Sequence, residues 1–75
     1  MNDIYIVVIE DRHTDVQVEA FLDREKAIDF AINTVIEYVQ CREDIKEEIV
    51  EGWEYFCTYS CEGDCVRVEK IEINE

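Results

Sequence analysis

The feature that most constrains this chain is a stripe of apolar residues in its middle third. These residues recur at three- and four-residue spacing: Ala27, Ile28, Ala31, Ile32, Val35, Ile36 and Val39. This period is typical of an amphipathic helix with one face on a core. Asp23 is a favourable N-cap, and Glu25 lies in the first turn, where the helix dipole favours negative charge. The pattern predicts one long helix from about Arg24 to Gln40.

The residues before the helix have the patterns of two strands. Residues 4–9 form a continuous apolar run, IYIVVI, which predicts a central strand with apolar side chains on both faces. Val16, Val18 and Ala20 then alternate with polar residues, as in a half-exposed strand. Residues 10–15 are polar and turn-like, so the two strands are expected to form an N-terminal hairpin.

Two further strands are predicted after the helix. Residues 53–57 are rich in aromatic side chains, and apolar and polar residues alternate between positions 66 and 73. The apolar phase slips by one residue between Val68 and Ile71. Such a slip predicts a β-bulge near Glu69–Lys70.

Residues 42–51 carry a thin apolar stripe on a charged segment, with Gly52 as a suitable C′ residue. We expect a short second helix here, or an extension of the first helix bent near Cys41.

The element order is then ββα(α)ββ. The sequence thus predicts one α+β domain over residues 1–75, with a mostly antiparallel sheet and a helix on one face. A chain this short buries only about 60% of its unfolded surface, so an additional staple would help it fold.

The four cysteines are candidates for such a staple: Cys41, Cys57, Cys61 and Cys65. Because the cytosol keeps thiols reduced, four cysteines there favour a metal over structural disulfides. Four thiolates match the ligand number of a structural zinc site. In one straight strand, Cys57 and Cys61 would lie about 13 Å apart. A zinc site therefore requires residues 57–65 to form a folded-back loop and not a hairpin tip.

Two alternatives to zinc stay open. In one, Cys61 and Cys65 face each other across a Glu-Gly-Asp turn, with or without a disulfide, while Cys41 and Cys57 are buried small hydrophobic residues. In the other, all four cysteines are ordinary core residues. Because all-sulfur zinc sites are usually closed and structural, no catalytic zinc is predicted.

The charge of the chain limits its partners. Twenty acidic residues against seven basic residues give a net charge of −13. This charge excludes direct binding to nucleic-acid phosphates, which needs a basic face. It makes basic protein surfaces the expected partners, and the alternative is that the acidity serves solubility alone.

Other classes of protein are excluded by what the sequence lacks. The N-terminus has no positive start, and the run at residues 4–9 is too short for a signal peptide or a membrane span. We therefore expect a cytosolic protein that does not bind membranes. There is no Cys-x-x-Cys pair, no His-Glu-x-x-His motif and no phosphate loop, so an enzyme is not expected.

The acidic residues are densest just after the predicted long helix. Six carboxylates fall within twelve residues: Glu43, Asp44, Glu47, Glu48, Glu51 and Glu54. On a helix, residues four apart would step by about 6 Å, which resembles the spacing of phosphates along a DNA strand. Such a face could dock where a nucleic-acid-binding protein expects phosphates. The alternative is a solvated helix face.

The sequence Asp-Arg-Glu-Lys-Ala at residues 23–27 opens the helix, between two strand pairs, in a very small acidic chain. In size, charge and architecture this resembles the phage-encoded anti-CRISPR inhibitors of type II RNA-guided nucleases. The resemblance implies a non-enzymatic inhibitor in the host cytosol, whose carboxylates pair with Lys and Arg of the nuclease and block guide or target DNA engagement. The alternative is a small zinc-stabilised adaptor that binds a partner through its sheet or an edge strand.

Overall fold

The computed structural model describes residues 2–12, 15–39, 41–60 and 63–73. These residues form a small α+β domain with a five-stranded antiparallel sheet and one α-helix, which confirms the predicted α+β class and antiparallel sheet. The strands are β1 (Asn2–Glu10), β2 (Gln17–Phe21), β3 (Lys46–Glu47), β4 (Trp53–Thr58) and β5 (Cys65–Ile73). The helix is α1 (Arg24–Tyr38), and the strand order across the sheet is β2-β1-β5-β4-β3.

The apolar run of the N-terminal strand has the central position that its pattern predicted. β1 pairs with β2 on one side and with β5 along its whole length on the other. Because side chains alternate along a strand, Val7 and Ile9 share one face and Ile6 and Val8 the other. Val7 and Ile9 belong to the buried core.

The helix begins at the predicted residue because its first turn is capped. The Asp23 carboxylate accepts hydrogen bonds from the backbone N–H groups of Glu25, at 2.8 Å, and Lys26, at 3.4 Å. The helix ends at Tyr38, two residues before the expected end. Its buried face joins one face of the sheet in a single core: Val7, Ile9, Ala27, Ala31, Val35, Cys57, Tyr59, Val66 and Val68.

The prediction of a second helix over residues 42–51 is wrong. Only Arg42–Asp44 is helical, as one 3-10 turn, and β3 then pairs with the edge of β4. The Glu48 N–H extends this pairing by donating to the Phe56 carbonyl at 3.1 Å. The thin apolar stripe could not hold a helix on the core, and Ile49 is fully exposed. Backbone hydrogen bonds to β4 hold residues 46–48 at the sheet edge instead.

The predicted β-bulge near Glu69–Lys70 is also wrong. β5 pairs residue for residue with β1, and the register shift lies in β4, between Trp53 and Tyr55. The apolar phase changes along β5 because its two halves have different apolar faces. Val68 is buried on the helix side, whereas Ile71 pairs with a β1 residue on the opposite side.

The sheet face opposite α1, here called the open sheet face, is largely apolar. Strand alternation places nine apolar side chains on it: Ile4, Ile6, Val8, Val18, Ala20, Trp53, Phe56, Ile71 and Ile73. Val18 is 57% exposed and Ile71 is 44% exposed. Because the one helix of the described residues lies on the other face, most of these side chains contact solvent, whereas Val8 is buried.

Candidate functional site

The acidic segment, defined as residues 43–54, lies at the β3 edge of the sheet. Four of its carboxylate side chains are exposed and two are half-buried: Glu43, Glu47, Glu48 and Glu51, then Asp44 and Glu54. Since the segment is not a helix, its carboxylates do not form rows with 6 Å steps. The predicted match to the spacing of DNA phosphates is therefore wrong in its geometry, while the density of exposed negative charge is real.

Most of this negative charge has no counter-charge within the segment. Lys46 is the one cation between positions 43 and 54. Arg24 reaches across from the start of α1, and its Nε lies 3.2 Å from Glu54 Oε1. The Tyr55 hydroxyl donates to Glu47 Oε2 at 2.8 Å, which orients that carboxylate without neutralising it. The segment thus presents excess charge to a basic partner.

A cleft of about 280 Å³ opens between the end of β3, the following loop and β4. The loop returns sharply because the Trp53 N–H donates to the Val50 carbonyl at 3.2 Å, and Gly52 adopts the left-handed conformation with φ of +92°. Eight residues line the cleft: Glu47, Glu48, Ile49, Val50, Trp53, Glu54, Tyr55 and Phe56. Three acidic and three aromatic residues, from both faces of β4, therefore contribute to the wall of this cleft.

Two aromatic residues of β4, Trp53 and Tyr55, lie on opposite faces of the sheet. Tyr55 packs against the core. Trp53 lies on the open sheet face, where its ring centroid is 5.2 Å from that of Phe56 and 5.2 Å from the Arg67 guanidinium carbon. The register shift between Trp53 and Tyr55 separates the two side chains. A strand pattern alone does not reveal such a shift.

The described cysteines do not converge. Cys57 is fully buried in the core on the α1 face. Cys65 pairs with Thr58, so strand alternation places its side chain on the opposite face from Cys57. Cys41 is exposed, and Cys61 lies outside the described residues. Cys41, Cys57 and Cys65 form no disulfide with one another.

β4 and β5 pair as a hairpin, and backbone hydrogen bonds continue this pairing in the described part of their connection, residues 59–60 and 63–64. A zinc site would need a folded-back loop over residues 57–65. The Tyr59 N–H donates to the Asp64 carbonyl at 3.0 Å, and the Gly63 N–H donates to the Ser60 carbonyl at 3.3 Å. Residues 2–12, 15–39, 41–60 and 63–73 contain no group of three potential metal ligands. Zinc binding by the four cysteines stays a prediction, and the burial of Cys57 favours the alternative of a small hydrophobic core residue.

The carboxylate of Asp64 lies buried at the hairpin turn, and the Glu-Gly-Asp sequence by itself gives no sign of this burial. Asp64 is 6% exposed. Its Oδ1 accepts from the Arg12 N–H at 2.9 Å and its Oδ2 from the Ser60 hydroxyl at 3.0 Å. Nearby, the Tyr59 hydroxyl donates to Asp11 Oδ2 at 2.6 Å. These bonds join the β4–β5 turn to the connection after β1, so their role is structural.

Burial shifts several titratable groups of the core and its margins. Desolvation, followed by the hydrogen bond to Asp11, raises the pKa of Tyr59 above that of a free phenol. Desolvation and the hydrogen bond to Glu47 do the same to the pKa of Tyr55. Burial also raises the pKa values of the Cys57 and Cys65 thiols.

We expect the domain to lose stability as the pH rises above about 8.5, where unfolded thiols ionise, and more steeply above about 10, where unfolded phenols ionise. A group whose pKa is higher in the folded state than in the unfolded state contributes its full stabilisation at pH values below the unfolded pKa. This contribution to the free energy of unfolding is lost as the pH rises toward the folded pKa. Urea unfolding between pH 7 and 11 measures the effect. Tyr59→Phe should make the loss above pH 10 less steep, and a constant stability up to pH 11 would contradict the expectation.

No protein-family model, curated protein or solved structure matches this chain. Within the described residues, no helix has the length and apolar character needed to cross a membrane.

Proposed function

We propose that this chain is a non-enzymatic inhibitor, phage-encoded and acting in the host cytosol, that binds a basic nucleic-acid-recognition surface of a CRISPR nuclease. The observation that carries the proposal is the acidic segment. It holds six carboxylates in twelve residues with one cation, Lys46. Four of the six are exposed at one edge of the domain.

An irregular edge segment is suited to this contact. Each carboxylate can accept two parallel hydrogen bonds from an arginine guanidinium, and such charge-assisted bonds are about twice as strong as neutral ones. Since the segment is not a regular helix, its charges need not repeat the spacing of phosphates. They only need to meet individual Lys and Arg side chains of the partner surface.

The charge of the whole chain adds to the local contact. A net charge of −13 attracts a basic surface over long range and raises the rate of encounter. The same charge opposes pairing between two copies of the chain. Once bound, the acidic segment occupies Lys and Arg groups that the nucleic acid needs, so guide or target DNA is excluded.

A DNA-cleavage assay with type II RNA-guided nucleases tests the proposal. We expect cleavage to stop at about one chain per nuclease, because inhibition is stoichiometric. Inhibition should weaken between about 0.05 and 0.3 M NaCl, since salt screens these contacts. A restriction endonuclease assayed under the same conditions should stay active. Undiminished cleavage by a panel of such nucleases, at tenfold excess of the chain in low salt, would reject the proposal.

The open sheet face favours a second candidate, the small zinc-stabilised adaptor that binds a partner protein through its own sheet or an edge strand. Residues 17–20 of the edge strand β2 are all exposed, so a partner strand could pair there. The neighbouring apolar side chains, among them Val18 and Ile71, would then be covered by the partner. Binding of this kind depends on apolar area and edge hydrogen bonds, and not on the acidic segment.

A further inference from the structure

We propose that the cleft beside β4 binds one arginine side chain of a basic protein partner. This inference rests on the proposed function, since it names the group that the acidic surface recognises. It assigns a ligand to a concave site, whereas the proposed function requires only exposed carboxylates. The two can therefore fail separately.

The size of the cleft suits a single side chain. Its volume of about 280 Å³ lies just below the range of about 300–1,000 Å³ typical of small-molecule pockets. Both the loop after β3 and the β4 strand contribute to its wall. A long side chain that enters from solvent can therefore be contacted along its stem by Ile49 and Val50.

The charge of the lining selects a cation. Glu47, Glu48 and Glu54 are three acidic residues of the lining, and among the described residues no Lys, Arg or His lines the cleft. Arg24 pairs with Glu54 from outside the lining, with about half of its own side chain exposed. After this pairing the cleft still holds net negative charge, so a guanidinium or ammonium group is favoured over a neutral or acidic one.

The aromatic rings favour arginine over lysine. Trp53, Tyr55 and Phe56 line the cleft, and a planar guanidinium both stacks on aromatic rings and binds carboxylates through two hydrogen bonds. A lysine ammonium is a more strongly hydrated point charge. It neither stacks on aromatic rings nor pairs with a carboxylate through two parallel hydrogen bonds as well as a guanidinium does.

The chain already contains one site of this chemistry. The Arg67 guanidinium carbon lies 5.2 Å from the Trp53 ring centroid. Its Nε contacts Glu69 at 2.7 Å, and its Nη1 pairs with Glu10. An arginine held between an aromatic ring and carboxylates is thus a stable arrangement beside the same tryptophan.

The lining is held in place before any partner binds. The hydrogen bond between the Tyr55 hydroxyl and Glu47 fixes a ring and a carboxylate together. Trp53 and Phe56 contact each other with ring centroids 5.2 Å apart. Because these groups are already ordered, less side-chain entropy is lost on binding.

Trp53, the sole tryptophan of the chain, makes the test direct. Blocked pentapeptides with a central arginine, lysine or citrulline are titrated into the full chain at constant ionic strength, while Trp53 fluorescence and the amide chemical shifts of residues 47–56 are followed. We expect saturable binding of the arginine peptide, at least about threefold weaker binding of the lysine peptide, and no saturation with citrulline. Equal responses to arginine and citrulline, or no response in either measurement, would overturn the proposal.

A charge-matched pair of variants tests the location. Glu48→Gln/Glu54→Gln should weaken the arginine peptide at least fivefold, whereas Glu25→Gln/Glu37→Gln, exposed on α1, should leave it unchanged. If both double variants weaken binding of the arginine peptide equally, the peptide is attracted by the overall charge and the cleft is not its binding site. Nuclease inhibition without arginine-peptide binding would reject the cleft alone, and peptide binding without inhibition would reject the proposed function alone.

Discussion

Reversing three charges of the acidic segment, as Glu43→Lys/Glu47→Lys/Glu51→Lys, is expected to weaken binding to the nuclease at least about a hundredfold and to abolish inhibition. Each substitution removes an attraction and places like charges in contact, at a cost of about 1 kcal/mol or more per site. Three such sites amount to about 3 kcal/mol, and every 1.4 kcal/mol is a factor of ten in affinity. Titration of labelled chain against the nuclease measures the change.

The control for this experiment is a second triple variant with the same change in net charge. Glu19→Lys/Asp29→Lys/Glu37→Lys alters exposed residues of β2 and α1 and should weaken binding less than tenfold. If both variants lose binding equally, only the net charge matters and the acidic segment is not the site. If partner binding survives both, the adaptor candidate, which binds through the open sheet face, is favoured instead.

Replacing the buried carboxylate of the hairpin turn, as Asp64→Ala, is expected to destabilise the domain by about 3 kcal/mol or more. The substitution removes the acceptor of hydrogen bonds from the Arg12 N–H and the Ser60 hydroxyl, and bonds to a charged group contribute about 1.5–3 kcal/mol each. Domains of this length have a free energy of unfolding of roughly 4–11 kcal/mol. The loss is thus a large share of the total, and urea denaturation at pH 7 measures it.

Two further variants serve as controls for the effect of Asp64→Ala. Asp64→Asn keeps one acceptor oxygen in place and should lie between the parent and Asp64→Ala. Glu72→Ala changes an exposed acidic residue of β5 and should shift stability by less than about 0.5 kcal/mol. An Asp64→Ala variant as stable as the parent would mean that these bonds do not hold the turn.

The elements that local patterns determine were predicted well. The start of α1 follows from the Asp23 cap and the apolar stripe behind it, both contained within a few residues of sequence. The central position of β1 follows from apolar side chains on both its faces. In each case the signal is local, because periodicity and capping depend on neighbours in the chain.

The errors arose where a distant strand decides the structure. Residues 46–48 are compatible with a helix, but they pair with the free edge of β4. The cysteines were judged by spacing, yet the pairing of Thr58 with Cys65 sets which face each thiol occupies. The cleft likewise forms only when the loop after β3 returns along β4. The sequence revealed its carboxylates and aromatic rings, but not their convergence.

Under the proposed function, the acidic segment and nucleic acid compete for one basic surface of the nuclease. The most direct measurement is the affinity of labelled chain for the nuclease with increasing guide RNA and, in a second series, for guide-loaded nuclease with increasing target DNA. Competition predicts that the apparent Kd rises in proportion to nucleic-acid concentration in at least one series. An apparent Kd that stays constant in both series, with the nuclease saturated by nucleic acid, would contradict the claim.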